Sequence, residues 1–131
     1  MNKEDKELLL RDLCNRLPYN VMCQVEFKED GKYNSKVMLL SGIFTDEAYF
    51  TTKGGSIYSN EYKPYLFPLS SMTEEEQRTL DSMCNGVEMV SRLSGLKMFD
   101  KAFNWLNENH FDYRGLIEKG LAIDATDKNI Y

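Results

Sequence analysis

The feature that most constrains the fold is a regular alternation of apolar and polar residues early in the chain, followed by short turn sequences. In the segment 21–27 every second residue is apolar, namely Val21, Cys23, Val25 and Phe27. A period of two is typical of a strand with one buried face. Asp30-Gly31 and Gly54-Gly55 are turn sequences that close hairpins. The pattern therefore predicts a run of short antiparallel strands.

Three further strands are predicted, at Lys36–Ser41, Ala48–Thr52 and Ser56–Tyr58. The first of these contains four consecutive apolar residues, so we expect both of its faces to be covered. Residues 61–72 hold Pro64 and Pro68 and are expected to be irregular. The strands form a small antiparallel β-meander, for which an open sheet and an SH3-like curled sheet are both compatible with the pattern.

Helical spacing occurs on either side of this strand region. Residues 3–16 predict a helix that ends before Pro18, with Leu9, Leu13 and Cys14 on its apolar face and Asp12 on a solvated face. Thr73-Glu74-Glu75-Glu76 matches a capping box and predicts the start of a second helix.

The C-terminal region predicts one or two more helices. Gly86 is expected to interrupt the second helix, and Gly95 is expected to end it. Residues 99–106 have helical spacing, and Asp112 can cap a short helix over 113–119 with Gly120 just beyond its end. We therefore expect residues 1–131 to form a single α+β domain: an N-terminal helix, the meander, then two to three C-terminal helices.

The composition and charge of the chain disfavour several classes of function. The chain of 131 residues is 42% hydrophobic and 28% charged, which is typical of a globular domain rather than a disordered one. Its net charge of −5 disfavours nucleic acid as a partner, because affinity for DNA comes largely from lysine and arginine. No signal peptide and no membrane-spanning segment is recognisable, so we expect a cytoplasmic location.

No residue pattern indicates catalysis, a cofactor or a metal. His110 is the sole histidine, and Cys14, Cys23 and Cys84 all fall on predicted apolar faces, where a thiol is unreactive. Four widely spaced Cys and His residues do not match a zinc site. No glycine-rich phosphate-binding sequence occurs. We expect a protein that is not an enzyme.

Two segments are candidates for contact with a partner. Aromatic residues are concentrated between residues 33 and 67, where Tyr62 and Tyr65 flank Lys63. They favour core packing, although a protein-binding surface or a platform for nucleobases would have the same composition.

The second segment combines His110, Tyr113 and Arg114 near the sole tryptophan. It is either a polar contact site or a structural element. In the structural alternative Asp112 caps a helix and pairs with Arg114, while His110 lies at a helix C-terminus, where its positive charge would be favourable.

Three segments carry a resemblance to known sequences: Asp12–Tyr19, Lys63–Glu76 and Trp105–Ala122. In this order they resemble a group of short uncharacterised proteins of gut Bacteroides and their phages or mobile elements. The resemblance implies a bacterial or phage origin, a cytoplasmic location and an accessory role, and it supplies no catalytic residue.

The expected function is therefore that of a non-enzymatic interaction protein. Its partner would be another protein or a second copy of the chain, bound through exposed aromatic or acidic surface. A nucleic-acid-associated factor that uses the aromatic strand region is the alternative. A deep pocket at His110 would instead favour an enzyme.

Overall fold

An amphipathic helix, a curled mixed sheet and two further helices follow one another along the chain. The computed structural model describes residues 2–44, 47–84 and 92–131. In the last of these ranges the side chains are described from residue 95 onward. The α+β class and the order of its parts are as predicted.

Helix α1, Lys3–Arg16, has the predicted bounds. The Asn2 side chain accepts a hydrogen bond from the Asp5 N–H at 2.7 Å and so caps its first turn. Leu9 and Leu13 are buried as expected, but Asp12 and Arg16 are fully buried beside them. The expectation that Asp12 faces solvent is wrong, because Arg16 lies one turn further along the same face and neutralises it.

A 3-10 turn at Leu17–Tyr19 leads from α1 into the sheet. The strands are β1 Met22–Glu29, β2 Lys32–Ile43, β3 Ala48–Thr52, β4 Gly55–Ser59, β5 Glu61–Pro68, β6 Phe111–Asp112 and β7 Ile123–Asp124. The first four form an antiparallel meander, and β5 returns to pair with β1. Strands β6 and β7 are short and run parallel to β5.

Tight two-residue turns join the strands of both predicted hairpins. Asp30 and Gly31 both have positive φ, 52° and 77°, which is the backbone of a type I′ turn between β1 and β2. The hairpin between β3 and β4 also forms, but its two turn residues are Lys53 and Gly54 rather than the predicted Gly54 and Gly55, because Gly55 already pairs with Thr52. In β2, Met38 and Leu40 are buried while Val37 is 38% exposed, so one face of this strand is open. The expectation that both faces are covered is therefore wrong.

Residues 61–68 form strand β5 rather than the irregular connection that the prolines predicted. Pro64 is fully buried and lies opposite Cys23 of β1. Asn60 alone separates β4 from β5, and the Ser59 hydroxyl donates to the Glu26 carbonyl at 2.7 Å. The sheet thus curls until the end of β4 reaches β1, which favours the curled alternative over the open one.

Helix α2, Glu74–Cys84, begins with the predicted capping box. The Glu76 N–H donates to the Thr73 hydroxyl at 3.1 Å, and the Thr73 N–H donates to the Glu76 carboxylate at 3.0 Å. The expected break at Gly86 lies outside the described residues. Helix α3 spans Arg92–Glu108, so the expectation that Gly95 ends a helix is wrong: this residue lies inside α3.

After α3 the chain packs back on the sheet in turns. No helix forms over 113–119, but the Asp112 carboxylate accepts the N–H groups of Leu116 and Ile117, each at 2.9 Å. Gly120 has φ 74° and lies in the hydrogen-bond pattern that usually ends a helix, with Leu121 donating to Leu116 at 2.9 Å. Asp112 therefore caps the start of this segment and Gly120 ends it, as predicted. The residues between them form turns rather than a helix.

The core lies between α1, the concave side of the sheet and this C-terminal segment. Its members are apolar side chains from all three parts: Leu9, Leu13, Val21, Cys23, Val25, Met38, Leu40, Ala48, Phe50, Leu66, Leu116, Leu121 and Ala122. Removing this much apolar surface from water is the main stabilising term.

Candidate functional site

A cleft of about 400 Å³ opens where the end of β5, the end of α3 and the C-terminal residues meet. Four rings line it: Phe67, His110, Phe111 and Tyr131. Three carboxylates also line it: Glu76, Glu108 and Asp127. Ser71, Asn109 and Thr126 also line it, so none of the described lining residues is a lysine or an arginine. The cleft is thus both aromatic and acidic.

His110 is placed by the end of α3. Its φ of 62° lies in the left-handed region, and its N–H donates to the Asn107 carbonyl at 3.1 Å. Its own carbonyl accepts the Phe67 N–H at 2.8 Å, which fixes it against β5. The imidazole stacks on the Tyr131 ring with centroids 3.6 Å apart and planes at 12°.

Burial controls the protonation of this histidine. His110 is 9% exposed, and its Nδ1 atom is buried without a hydrogen-bond partner among the described residues. Burial lowers its pKa to about 4, and the positive charge of Arg16 adds to the lowering. His110 is therefore neutral at neutral pH, so the expected positive charge at a helix C-terminus is wrong.

Tyr131 joins two strands through its hydroxyl. The oxygen accepts the Met22 N–H at 2.9 Å, and the hydroxyl donates to the Tyr65 carbonyl at 2.8 Å. In the β1–β5 register Met22 would be the next residue opposite Tyr65, one step beyond Cys23 and Pro64. The hydroxyl thus bridges the two strands at the point where their own pairing stops. Burial raises the pKa of Tyr131, which keeps this hydroxyl protonated.

A buried ionic cluster lies behind the cleft. The Asp12 carboxylate accepts two hydrogen bonds from Arg16, at 2.7 and 3.1 Å, and one from Arg114 at 3.1 Å. Arg16 also donates to the Phe111 carbonyl at 2.7 Å. Arg114 therefore pairs with Asp12 of α1, and the predicted pairing with Asp112 is wrong. The cluster ties α1 to the segment that carries one wall of the cleft.

The five candidate contact residues do not form a single site. His110 lines the cleft, whereas Tyr113 and Arg114 belong to the ionic cluster: both the Arg16 and the Arg114 guanidinium lie over the Tyr113 ring, at 5.3 and 4.9 Å. Tyr65 is buried, and the Tyr62 ring packs on Phe50 with centroids 5.1 Å apart.

Sequence reasoning missed Asp12, Arg16 and Tyr131. The spacing of Asp12 and Arg16 within the stripe of Leu9 and Leu13 was the available signal for the first two, since residues four apart share a helix face. Tyr131 gave no signal, because its partners are backbone groups of distant strands.

The strand region exposes a second group of aromatic side chains. Phe44, Tyr58 and Tyr33 are 54%, 55% and 68% exposed. The Lys28 ammonium lies 4.9 Å from the Tyr33 ring centroid. A smaller cleft of about 320 Å³ beside them is lined by three carboxylates, those of Glu26, Glu47 and Glu61, and by the side chain of Lys28.

His110 contributes a neutral imidazole to the cleft, and no hydrogen-bond partner among the described residues activates it as a base. No hydrogen bond joins its side chain to any described residue, and the nearby Ser71 hydroxyl donates to the Pro68 carbonyl at 2.7 Å. Cys14 and Cys84 are exposed, which corrects the expectation that all three thiols are buried, and burial raises the pKa of Cys23. A nucleophile needs a base within reach, and the described part of the cleft does not supply such a pair.

The ranges 2–44, 47–84 and 92–131 contain neither a metal site nor a membrane-spanning helix. No group of three or more His, Cys, Asp or Glu side chains is arranged there to hold a metal ion. Within the same ranges no helix has both the length and the apolar composition needed to cross a bilayer.

No protein-family model matches the chain, and neither a curated protein nor a solved structure matches it.

Proposed function

We propose that this protein is a non-enzymatic interaction protein that binds a positively charged segment of another protein in the acidic aromatic cleft. The observation that carries the proposal is the lining itself: among the described residues it has three carboxylates, neither a lysine nor an arginine, and aromatic surface that includes Tyr131, which is 45% exposed. Opposite charge steers association and selects against acidic partners. Aromatic rings add attraction for cations and for apolar side-chain stems.

The size of the cleft suits side chains rather than a whole folded surface. About 400 Å³ is near the lower end of small-ligand pockets, which span roughly 300–1,000 Å³. One or two side chains of an extended segment would fill it. Glu108 and Asp127 are exposed, so they can approach a partner's charge without first being desolvated.

The test is a titration with a short glycine-spaced peptide of lysines and arginines, followed by the fluorescence of Trp105. This tryptophan stacks on Phe111 of the cleft wall, with centroids 5.8 Å apart and planes at 22°, so occupancy should change its emission. Binding should weaken as salt is added, because exposed charges are screened.

A matched pair of variants distinguishes the cleft from general acidity. Removing both cleft charges with Glu108→Gln and Asp127→Asn should abolish most of the binding. The control removes two exposed charges elsewhere, with Glu4→Gln and Glu29→Gln, and should bind nearly as tightly as the original protein. Equal loss in both double variants would reject the cleft as the binding site.

A nucleic-acid-associated role is the second candidate, and the exposed Tyr33, Phe44 and Tyr58 are the observation that favours it. Exposed rings can stack nucleobases. Glu26, Glu47 and Glu61 oppose it, since they would repel phosphates beside these rings. Tight binding of a single-stranded oligonucleotide at physiological salt, lost on Tyr33→Ser, would establish this alternative.

The accessory role, the bacterial or phage origin and the cytoplasmic location that the resemblance implies remain part of the proposal. A pull-down from a gut Bacteroides lysate, with the Glu108→Gln and Asp127→Asn double variant as control, would test them together. Partners captured by the original protein and lost by the variant would support the cleft as their docking site.

A further inference from the structure

We propose that the cleft selects an arginine side chain of its protein partner over a lysine side chain. This inference rests on the proposed function and names the chemical group that the cleft binds. A guanidinium is planar and forked, so it can stack on a ring while donating to a carboxylate. An ammonium is a compact point charge that has no face to stack.

Two rings of the cleft, those of Tyr131 and the half-buried Phe67, have exposed surface for such stacking. Tyr131 has one ring face on His110, yet the residue is 45% exposed, and its ring lies 5.9 Å from that of Phe67. His110 lines the same cleft with 9% exposure and an unpartnered Nδ1. The stack therefore forms a rigid aromatic wall in which the imidazole is packed in place.

The carboxylates supply acceptors on more than one side of the cleft. Glu76 comes from α2, Glu108 from the end of α3 and Asp127 from the C-terminal segment. Glu76 uses one oxygen to accept the Thr73 N–H, while Glu108 and Asp127 are exposed. A forked cation can donate to two such groups at once, which a single ammonium does with poorer geometry.

The molecule already binds guanidinium groups by this combination elsewhere. In the buried cluster, Arg16 and Arg114 share the Asp12 carboxylate and both lie over the Tyr113 ring. One ring and one carboxylate thus hold two guanidinium groups inside the fold. The cleft presents the same two kinds of group to solvent.

The experiment compares glycine-flanked peptides of equal length whose central residue is arginine, lysine or citrulline, with free L-arginine as a fourth ligand. Trp105 fluorescence and calorimetry are the readouts. We expect the arginine peptide to bind about tenfold more tightly than the lysine peptide, the ratio that a stacking gain of about 1.4 kcal/mol would give. Citrulline, which keeps the shape and loses the charge, should bind most weakly.

Two sets of variants distinguish the contribution of ring stacking to peptide binding from the contribution of the carboxylate charges. Phe67→Leu should reduce the preference for arginine over lysine, while Glu108→Gln with Asp127→Asn should weaken both peptides alike. Glu118→Gln, an exposed change outside the lining, is the control.

Each outcome has a distinct meaning. Lysine binding as tightly as arginine would overturn this inference and leave the proposed function intact. Failure of every basic peptide would overturn both. Free L-arginine binding as tightly as the peptide would overturn the assignment to a protein partner and indicate a small-molecule site.

Discussion

The Tyr131 ring lies flat on the His110 imidazole, with ring centroids 3.6 Å apart and planes at 12°. Each of the two residues also bonds to the backbone of a strand: the Tyr131 hydroxyl bridges Met22 and Tyr65, and the His110 carbonyl accepts the Phe67 N–H. The stack therefore couples the wall of the cleft to the strands β1 and β5. Changes to either ring test the fold and the site together.

Removing the Tyr131 hydroxyl should destabilise the fold. Tyr131→Phe keeps the ring on His110 but leaves the Met22 N–H and the Tyr65 carbonyl without this partner. We expect the free energy of unfolding to fall by about 1–3 kcal/mol, the usual loss when a hydrogen-bonded group is left unpaired. Urea denaturation measures it. Tyr33→Phe, at a residue that is 68% exposed, is the control and should change nothing.

The protonation of His110 should make stability depend on pH. Its ordinary pKa of 6.5 falls to about 4 in the folded state. Between these values the unfolded chain binds a proton that the folded chain does not, so stability is lost as pH falls from 6.5 towards 4. The full loss from this group is about 3 kcal/mol.

His110→Asn is the variant for this measurement, because asparagine tolerates the left-handed backbone of residue 110 and does not titrate. Unfolding free energies from urea titrations at pH 7, 6, 5 and 4 should fall less steeply in the variant than in the original protein. Parallel curves would show that His110 does not contribute to the acid sensitivity.

The charge of Asp12 should be essential to the fold. Asp12→Asn keeps the shape but leaves two arginines, Arg16 and Arg114, without their shared carboxylate. Breaking a buried ion pair typically costs about 3–5 kcal/mol. Thermal denaturation should show a large loss, whereas Glu7→Gln, an exposed change on the same helix, should have little effect. A midpoint like that of the control would contradict the role given to Asp12.

The capping box of α2 should contribute less to the free energy of unfolding than the charge of Asp12 does. Thr73→Ala removes the acceptor of the Glu76 N–H and should lower the free energy of unfolding by about 1 kcal/mol. Thr79→Ala lies within the same helix, where alanine is favourable, and serves as the control. Chemical denaturation of both variants checks this, and equal stabilities would rule out the cap.

Local patterns in the sequence were sufficient to predict much of this fold. Asp30-Gly31 and Thr73 act on backbone groups within three residues of themselves, so the first hairpin and the start of α2 could be predicted. Strand β5 could not, because its order depends on pairing with residues of β1, β6 and β7 that lie 35 to 58 positions away in the chain. Its prolines favoured an irregular segment, and this tertiary pairing overrode the local preference.

The candidate site was predictable to a smaller extent. His110 was singled out as a rare residue type, but its lowered pKa follows from burial against Tyr131 and from the charge of Arg16, neither of which is local. The acidic rim joins Glu76, Glu108 and Asp127 from three separate segments. No motif can encode such a rim, because its members meet only after α2, α3 and the C-terminal segment have packed together.

The sharing of one carboxylate by two arginines also bears on the order of events in folding. Asp12 reaches Arg16 within a single helical turn, whereas its contact with Arg114 closes a loop of 102 residues. The entropy of closing such a loop must be overcome before the contact stabilises anything. The local pair can thus form with α1, and the docking of the C-terminal segment belongs to a late step. Weakening Arg114 should then leave the refolding rate nearly unchanged and speed unfolding, so this contact governs how long the native state persists.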